Sequence, residues 1–222
     1  MPAIQLVIFD CDGVLVDSER ICNQVMADLL GELGLVFSLD QTVARFMGRS
    51  MAQCVQIITG LLGRPPPEEF LARFADRTRA ALAEGLAPVP GIEAVLAHLT
   101  LPCCVGSNGN RAKMTFTLGL TGLLPRFADR LYCADDVVHP KPAPDLFLHA
   151  ARCQGAQPAR CVVVEDTPTG IMAARAAGMW AFGFAAMTPR ERLEQAGAHV
   201  VFSAMSELPA LLDLHDRPVH GK

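Results

Sequence analysis

The sequence predicts a doubly wound α/β protein, and three observations carry that prediction. Six short apolar segments recur along the chain, each followed by a polar or glycine-bearing turn, which is typical of strands buried on both faces of a parallel sheet. Helical stretches of about 10 to 15 residues lie between most of them, as βαβ units require. One interval is much longer, because over ninety residues separate Phe9, which ends the first segment, from Cys103, which starts the second.

Outside the long interval, the predicted strands and helices alternate along the chain. Two of the helices end at a glycine that suits a left-handed C-terminal cap, with Asp145 to Gln154 ending at Gly155 and Thr167 to Ala177 ending at Gly178. The strands are Leu6–Phe9, Cys103–Gly106, Leu131–Cys133, Cys161–Val164, Trp180–Phe184 and His199–Phe202.

The long interval between the first two strands contains only helical patterns. Ser18 can cap a helix that runs to about Leu33, and Asp40 and Ser50 can cap the helices that follow. The segment Glu68–Glu84 follows three prolines and carries apolar residues at helical spacing. A single crossover helix needs far fewer residues than this interval holds. The sequence therefore predicts a helical insertion inside the sheet domain.

This pattern predicts two domains. We expect residues 1–14 and 88–222 to form the sheet domain and residues 15–87 to form the helical domain. The length of 222 residues is enough for a buried core, and 51% hydrophobic residues exclude intrinsic disorder.

Charge and cysteine usage limit the classes of function. A net charge of -4 argues against nucleic acid or an anionic membrane as the main partner, because those partners select a basic face. We predict no transmembrane helix and no signal peptide. The eight cysteines form no C-x-x-C pair and most lie in apolar segments, so we expect buried, reduced thiols and a cytoplasmic location. The oligomeric state is left open.

Polar side chains lie next to the predicted strands. An open parallel sheet binds its ligands outside the carboxyl ends of its strands, and these side chains are expected there. Four carboxylates close together repel one another and need a cation, and hard oxygen ligands without a histidine or thiolate cluster suit Mg²⁺. A lysine and a serine beside such an ion suit a phosphate dianion. The residues in question are Asp10, Asp12, Ser107, Asn108, Lys141, Glu165 and Asp166.

These residues also carry a family resemblance. The run from Asp10 to Glu19, DCDGVLVDSE, resembles the first motif of the haloacid dehalogenase superfamily of phosphohydrolases. Ser107-Asn108 resembles the second motif, Lys141 the third and Glu165-Asp166 the fourth. Within the superfamily the chain is similar to the group of phosphoglycolate phosphatase and β-phosphoglucomutase, most of all to 6-phosphogluconate phosphatase-like members. The resemblance implies a Rossmann-like core with an α-helical cap domain.

The resemblance also implies a mechanism for a Mg²⁺-dependent phosphatase. Asp10 would attack phosphorus and form an aspartyl-phosphate, and Asp12 would act as the acid and then the base. Ser107 and Lys141 would hold the phosphoryl oxygens. The metal ligands would be Asp10, the backbone carbonyl of Asp12, Asp166 and, directly or indirectly, Glu165. Substrate contacts would come from the backbone amide of Cys11, from Asn108 and, for an acidic substrate, from Arg49.

Three alternatives stay beside this prediction. A sugar-phosphate mutase would share the aspartyl-phosphate, but Ser18 and Cys22 stand where β-phosphoglucomutase members have a threonine and a histidine. The dehalogenases proper lack a second aspartate, so Asp12 argues against them. A non-catalytic binding protein could keep the same fold. The expected substrate is a small phosphate ester, either a sugar phosphate or an acidic sugar phosphate.

Overall fold

The structure is a computed structural model that describes residues 3–47, 49, 51–127 and 129–216. It divides into two compact units, which are described separately below. The first, the sheet unit, comprises Met1–Val16 and Pro88–Lys222, and the second, the helical unit, comprises Asp17–Ala87.

The described part of the sheet unit is built on one six-stranded sheet in the order β3-β2-β1-β4-β5-β6, with every pairing parallel. This order and the helices between the strands confirm the predicted doubly wound, Rossmann-like α/β class. The chain direction across the sheet switches beside β1, where such sheets bind ligands. The strands are β1 (Leu6–Phe9), β2 (Cys103–Ser107), β3 (Leu131–Cys133), β4 (Cys161–Glu165), β5 (Trp180–Phe184) and β6 (Val200–Phe202).

The three central strands are apolar because both of their faces are covered. Every residue of β1, β2 and β4 is buried, and Ile8 of β1 lies in register with Cys104 and Val163 of its neighbours. A Cβ atom at Gly106 would lie 3.2 Å from Ile8 and from the Phe147 ring, tighter than most such contacts. A glycine there lets the helix layer approach the sheet closely.

The helical unit packs its helices around a core of its own. Its described residues contain no strand, as the insertion pattern predicted. On the outside of the unit, Glu32 forms ion pairs with Arg73 and Arg77 and so links the first helix to the fourth. The helices are α1 (Ser18–Glu32), α2 (Leu39–Phe46), α3 (Met51–Leu62) and α4 (Phe70–Gly85). The buried residues of the core are Val25, Met26, Leu29, Leu30, Phe46, Cys54, Ile58 and Phe70.

Two predicted helix caps in this unit were wrong. The N-cap of α1 is Asp17, and Ser18 is a buried residue inside the first turn. The N-cap of α2 is Ser38 rather than Asp40: its Oγ accepts from the Gln41 backbone N–H (3.2 Å), and the Gln41 side chain accepts from the Ser38 N–H (2.9 Å). This reciprocal capping box satisfies two backbone donors, whereas an aspartate further into the first turn satisfies none in this way. The predicted cap Ser50 lies outside the described residues.

The remaining helices flank the sheet. The two predicted to end at Gly155 and Gly178 are confirmed, and both glycines have a positive φ, 67° and 70°. No helix in the described residues is long and apolar enough to span a membrane. The helices are α5 (Ile92–His98), α6 (Arg111–Leu120), α7 (Leu124–Phe127), α8 (Asp145–Cys153), α9 (Pro168–Ala176), α10 (Arg190–Gln195) and α11 (Leu208–Asp216).

The cysteines behave mostly as small apolar residues. All eight are free thiols, and the exceptions to burial are Cys22, which is partly buried, and Cys153, which is exposed. Burial raises the pKa of the Cys161 thiol to about 11, so that thiol stays protonated at neutral pH. The prediction that most cysteines are buried is therefore confirmed.

The capping box at α2 gives a testable prediction. Ser38→Ala removes the side-chain acceptor for the Gln41 amide, so we expect the free energy of unfolding to fall by about 1 kcal/mol. Asp40→Asn, the matched control, loses only a favourable charge near the helix N-terminus, so its expected loss is smaller, about 0.5 kcal/mol. Urea unfolding followed by circular dichroism measures both. A larger loss in the Asp40 variant would contradict the assignment of Ser38 as the cap.

Candidate active site

The site residues lie at the carboxyl ends of the central strands. Asp10 directly follows β1, Ser107 is the last residue of β2, and Glu165 ends β4 with Asp166 next in the chain. Because these strands are parallel neighbours, their ends meet at one edge of the sheet. The loop that leads from β3 into α8 carries Lys141 to the same edge. The predicted gathering of these side chains is thus present in the structure.

A buried lysine joins two of the carboxylates. The Nζ of Lys141 lies 2.6 Å from Oδ1 of Asp10 and 2.6 Å from Oε1 of Glu165. The Lys141 side chain is only 3% exposed. Burial by itself would lower the pKa of Lys141, but the two adjacent carboxylates outweigh it and raise that pKa. The side chain is therefore a permanent ammonium at neutral pH.

The backbone around Lys141 is held by Asn108. The Asn108 side chain accepts a hydrogen bond from the Lys141 N–H (3.0 Å) and donates one to the Lys141 carbonyl (3.1 Å). Pro140 and Pro142 restrict the backbone on either side, and the Phe147 ring lies 4.8 Å below the ammonium, within cation–π distance. Asn108 was predicted to contact substrate. In the structure its amide holds the lysine, a contact between residues 33 positions apart that the sequence pattern did not indicate.

Glu165 is fixed from both of its oxygens. While Oε1 accepts from Lys141, Oε2 accepts from the Thr167 backbone N–H (2.9 Å) and the Thr167 hydroxyl (2.8 Å). Thr167 is also the N-cap of α9, where its Oγ1 accepts from the Gly170 N–H (3.1 Å). A Cβ atom at Gly170 would overlap the Glu165 carboxylate. Sequence reasoning gave Thr167 no role in the site, although a threonine before Pro168 is a recognisable helix start.

Three carboxylates are close enough to share a cation. In the described part of the chain, Asp10, Glu165 and Asp166 offer oxygens that lie within 4.8 Å of one another, and all three residues are buried. Burial raises the pKa of Asp10 to about 7, and although Lys141 opposes that rise, Glu165 and Asp12 add to it. One ammonium does not neutralise this many carboxylates, so a bound divalent cation would favour their ionised forms.

The turn of the first motif lies close against the Asp166 carboxylate. Gly13 has φ +77°, and a Cβ atom there would overlap Oδ2 of Asp166. Only glycine combines this backbone conformation with the close approach. An all-oxygen donor set suits Mg²⁺, so the residues present fit the metal that the sequence predicted.

Asp12 and Cys11 lie in the turn that follows β1. The Gly13 N–H donates to the Val16 carbonyl (2.8 Å), which closes the turn. The Cys11 thiol is buried against Thr117, with Sγ 3.9 Å from Oγ1, so we expect any contact of Cys11 with substrate to come from its backbone amide. The Asp12 carboxylate is 14% exposed, and its Oδ2 lies 2.8 Å from the Nζ of Lys113 on α6.

Lys113 is a second polar residue of this edge that sequence reasoning missed. The signal was nevertheless available, because the chain contains three lysines among nineteen basic residues. A lysine is therefore uncommon in this chain, which makes Lys113 as distinctive as Lys141. The third lysine, Lys222, lies outside the described residues.

Ser107 and Arg49, two of the predicted site residues, bond to the backbone of nearby residues in the sequence. Ser107 is buried at the end of β2, where its Oγ accepts a hydrogen bond from the Gly109 N–H (3.2 Å). Arg49 belongs to the helical unit, where it is exposed and its Nε donates to the Arg45 carbonyl (2.7 Å). Contact of Arg49 with a substrate stays a prediction.

Comparison with known proteins agrees with the geometry. The family model described as haloacid dehalogenase-like hydrolase matches residues 4–178. The chain is 32% identical to 6-phosphogluconate phosphatase of Escherichia coli over 214 residues, which is 95% of this chain and 96% of that protein. It is 36% identical to the fructose-1-phosphate phosphatase YqaB of the same organism over 174 residues, 78% of this chain and 92% of that protein.

A solved structure extends the similarity to three dimensions. A haloacid dehalogenase family hydrolase from Deinococcus radiodurans, which was solved with bound phosphate and sodium, superimposes with a TM-score of 0.85 and 31% identity. The match covers 97% of this chain and 98% of that one. With the family model, the two phosphatases and this structure in agreement with the four motifs, the chain belongs to the haloacid dehalogenase-like hydrolase family.

Proposed function

We propose that this protein is a Mg²⁺-dependent phosphatase, a phosphoric monoester hydrolase that acts on a small sugar phosphate or acidic sugar phosphate. The observation that carries the proposal is the buried Lys141, which bridges Asp10 and Glu165 beside Asp166. The fixed ammonium, together with a cation held by the three carboxylates, would provide the positive charge that a phosphoryl group needs. Phosphoryl transfer depends mainly on positioning and on such charge stabilisation.

The reaction would proceed in two displacements. In the first, an Asp10 carboxylate oxygen bonds to phosphorus while the bond from phosphorus to the ester oxygen breaks, and Asp12 gives a proton to that leaving oxygen. In the second, water attacks phosphorus and gives its proton to Asp12, and the bond to Asp10 breaks. Inorganic phosphate leaves, and both aspartates return to their starting state.

The other site residues would orient the phosphoryl group. Lys141 would pair with its oxygens as well as with Asp10, and the Ser107 hydroxyl and the Cys11 backbone amide would donate hydrogen bonds. The Asn108 contacts favour an indirect part for that residue, since its amide fixes the backbone of Lys141.

Mg²⁺ would be held by Asp10, Asp166 and the Asp12 backbone carbonyl. Glu165 already accepts hydrogen bonds from Lys141 and Thr167, which favours a supporting position beside the ion. When bound, the ion supplies positive charge to the phosphoryl oxygens.

Similarity to known phosphatases supports the substrate class. One relative is a 6-phosphogluconate phosphatase and the other a fructose-1-phosphate phosphatase, so both act on monoesters of sugar-derived alcohols. We propose that residues 15–87 form a cap domain. A substrate that carries a second acidic group would suit Arg49 in that domain.

A mutase is not proposed, because Ser18 and Cys22 replace the threonine and histidine of the β-phosphoglucomutase group. The reduced thiols support a cytoplasmic location.

The proposal predicts metal-dependent hydrolysis. We expect the purified protein to release phosphate from p-nitrophenyl phosphate with Mg²⁺, to lose that activity with EDTA, and to regain it with excess Mg²⁺. A screen of sugar phosphates ranked by kcat/KM should then give the highest values for sugar or sugar-acid monoesters. Full activity in EDTA would contradict the metal site, and inactivity on every ester with Mg²⁺ present would contradict the phosphatase.

Replacement of the nucleophile tests the covalent step. Asp10→Asn should lower kcat by on the order of 10⁴-fold or more, because an amide cannot attack phosphorus. Asp213→Asn, an exposed change on α11 of the same charge and size, should leave kcat unchanged. Activity of the Asp10 variant near that of wild type would rule out Asp10 as the nucleophile.

Metal binding can be measured without turnover. An ion that binds only the folded protein stabilises it by about 2.7 kcal/mol when its free concentration is 100 times the Kd. We therefore expect Mg²⁺ to raise the melting temperature of wild type and of Asp213→Asn by several degrees, and to leave that of Asp166→Asn almost unchanged. An equal rise in the Asp166 variant would place the metal elsewhere.

A further inference from the structure

The pair of Lys113 and Asp12 connects the proposed acid and base to a helix that begins at the same edge of the sheet. The two residues are 101 positions apart in the sequence, and Nζ of Lys113 lies 2.8 Å from Oδ2 of Asp12. The lysine side chain is 39% exposed and the aspartate side chain 14% exposed. Because the lysine is well exposed to water, the pair contributes only modestly to stability, and a role in the site is the more informative one to test.

Lys113 reaches Asp12 from a fixed starting point. Its backbone N–H donates to Oδ1 of Asn110, the N-cap of α6, at 2.8 Å, so the first turn of the helix is anchored. A Cβ atom at Gly109 would lie 3.7 Å from Cδ of Lys113 and 3.7 Å from Oδ2 of Asp12. The lysine stem and the carboxylate thus both lie next to Gly109, and a side chain there would be in ordinary van der Waals contact with them.

The Asp12 backbone is set by the turn, but its side chain needs a further restraint. The Gly13 N–H donates to the Val16 carbonyl (2.8 Å), and Asp12 and Val16 form a β-bridge. These contacts leave rotation about the side-chain torsions of Asp12 to be fixed by side-chain partners. The Lys113 ammonium supplies such a partner for one of the two carboxylate oxygens.

We propose that Lys113 is a positioning residue that holds the Asp12 carboxylate in the orientation required for proton transfer. The inference rests on the proposed function, in which Asp12 is the acid and base. Lys113 acts through Asp12 and not on the substrate. An arginine at position 113 would keep the charge but replace a compact ammonium by a planar fork, so Lys113→Arg should keep only part of the wild-type kcat.

The two reaction steps allow a specific test with p-nitrophenyl phosphate and Mg²⁺. Because p-nitrophenolate leaves without a proton, formation of the aspartyl-phosphate needs little help from Asp12, whereas attack by water needs it as the base. For Lys113→Met we expect a stopped-flow burst of about one p-nitrophenolate per active site, followed by slow turnover. Its kcat should fall by about tenfold, a fraction of the 10²–10⁴-fold that a positioned acid or base contributes. KM should not rise.

The controls separate positioning from general charge effects. Lys113→Arg should recover part of kcat. Arg111→Met removes a positive charge two positions earlier on the same helix, where the guanidinium bonds the Leu131 carbonyl and Asp136, so it should keep the wild-type kcat. Melting temperatures verify the fold of each variant, and Lys113→Gln replaces the Met variant if that one does not fold.

Each other outcome overturns the inference in a recognisable way. Wild-type kinetics in Lys113→Met would contradict it while the proposed function stands. A raised KM with unchanged kcat would show that Lys113 binds substrate, and an equal loss in Arg111→Met would show a helix-wide charge effect. Inactivity of wild type itself on every phosphate ester would contradict the proposed function, and this inference with it.

Discussion

The arrangement of the site depends on one buried ammonium. Ionised carboxylates away from water are costly unless they are paired, and this sheet edge brings three within 4.8 Å of one another. Lys141 pairs with two of them at 2.6 Å and is itself almost inaccessible to water. Asn108 fixes the backbone of that lysine, and Thr167 fixes the second carboxylate oxygen of Glu165. The lysine and one of its two partners are therefore held in place. Three carboxylates and one ammonium leave the site with excess negative charge, so it favours a bound cation.

The parallel sheet makes this arrangement possible. A residue at the end of each central strand needs only the strand register to reach the common edge, and that register is fixed by apolar strands buried on both faces. Two glycines near this edge let the backbone approach the carboxylates. At Gly13 and Gly170 an added Cβ would overlap Asp166 and Glu165, so the backbone comes close to the carboxylates it supports.

These physical origins explain what could be predicted from the sequence. Strands and their polar ends are local patterns, so all six strands and the convergence of Asp10, Ser107, Lys141 and Glu165 could be predicted. The contact of Asn108 with Lys141 joins residues 33 positions apart, and that of Lys113 with Asp12 joins residues 101 apart, so both depend on packing that no local pattern encodes. The cap of α2 was mispredicted for another reason: Ser38 and Asp40 both suit an N-cap, and only backbone geometry distinguishes them.

The two lysines of the site stand in different surroundings, and the two aspartates they contact would have different tasks. Lys141 and Asp10 are buried, which suits a nucleophile that must react with phosphorus and not exchange protons with water. Lys113 is 39% exposed and its partner Asp12 is partly exposed, which suits a group that gives a proton to one molecule and takes it from another. A buried lysine in place of Lys113 would shield Asp12 from the water that it activates in the proposed mechanism. A half-exposed lysine can orient the carboxylate and leave the path for water open.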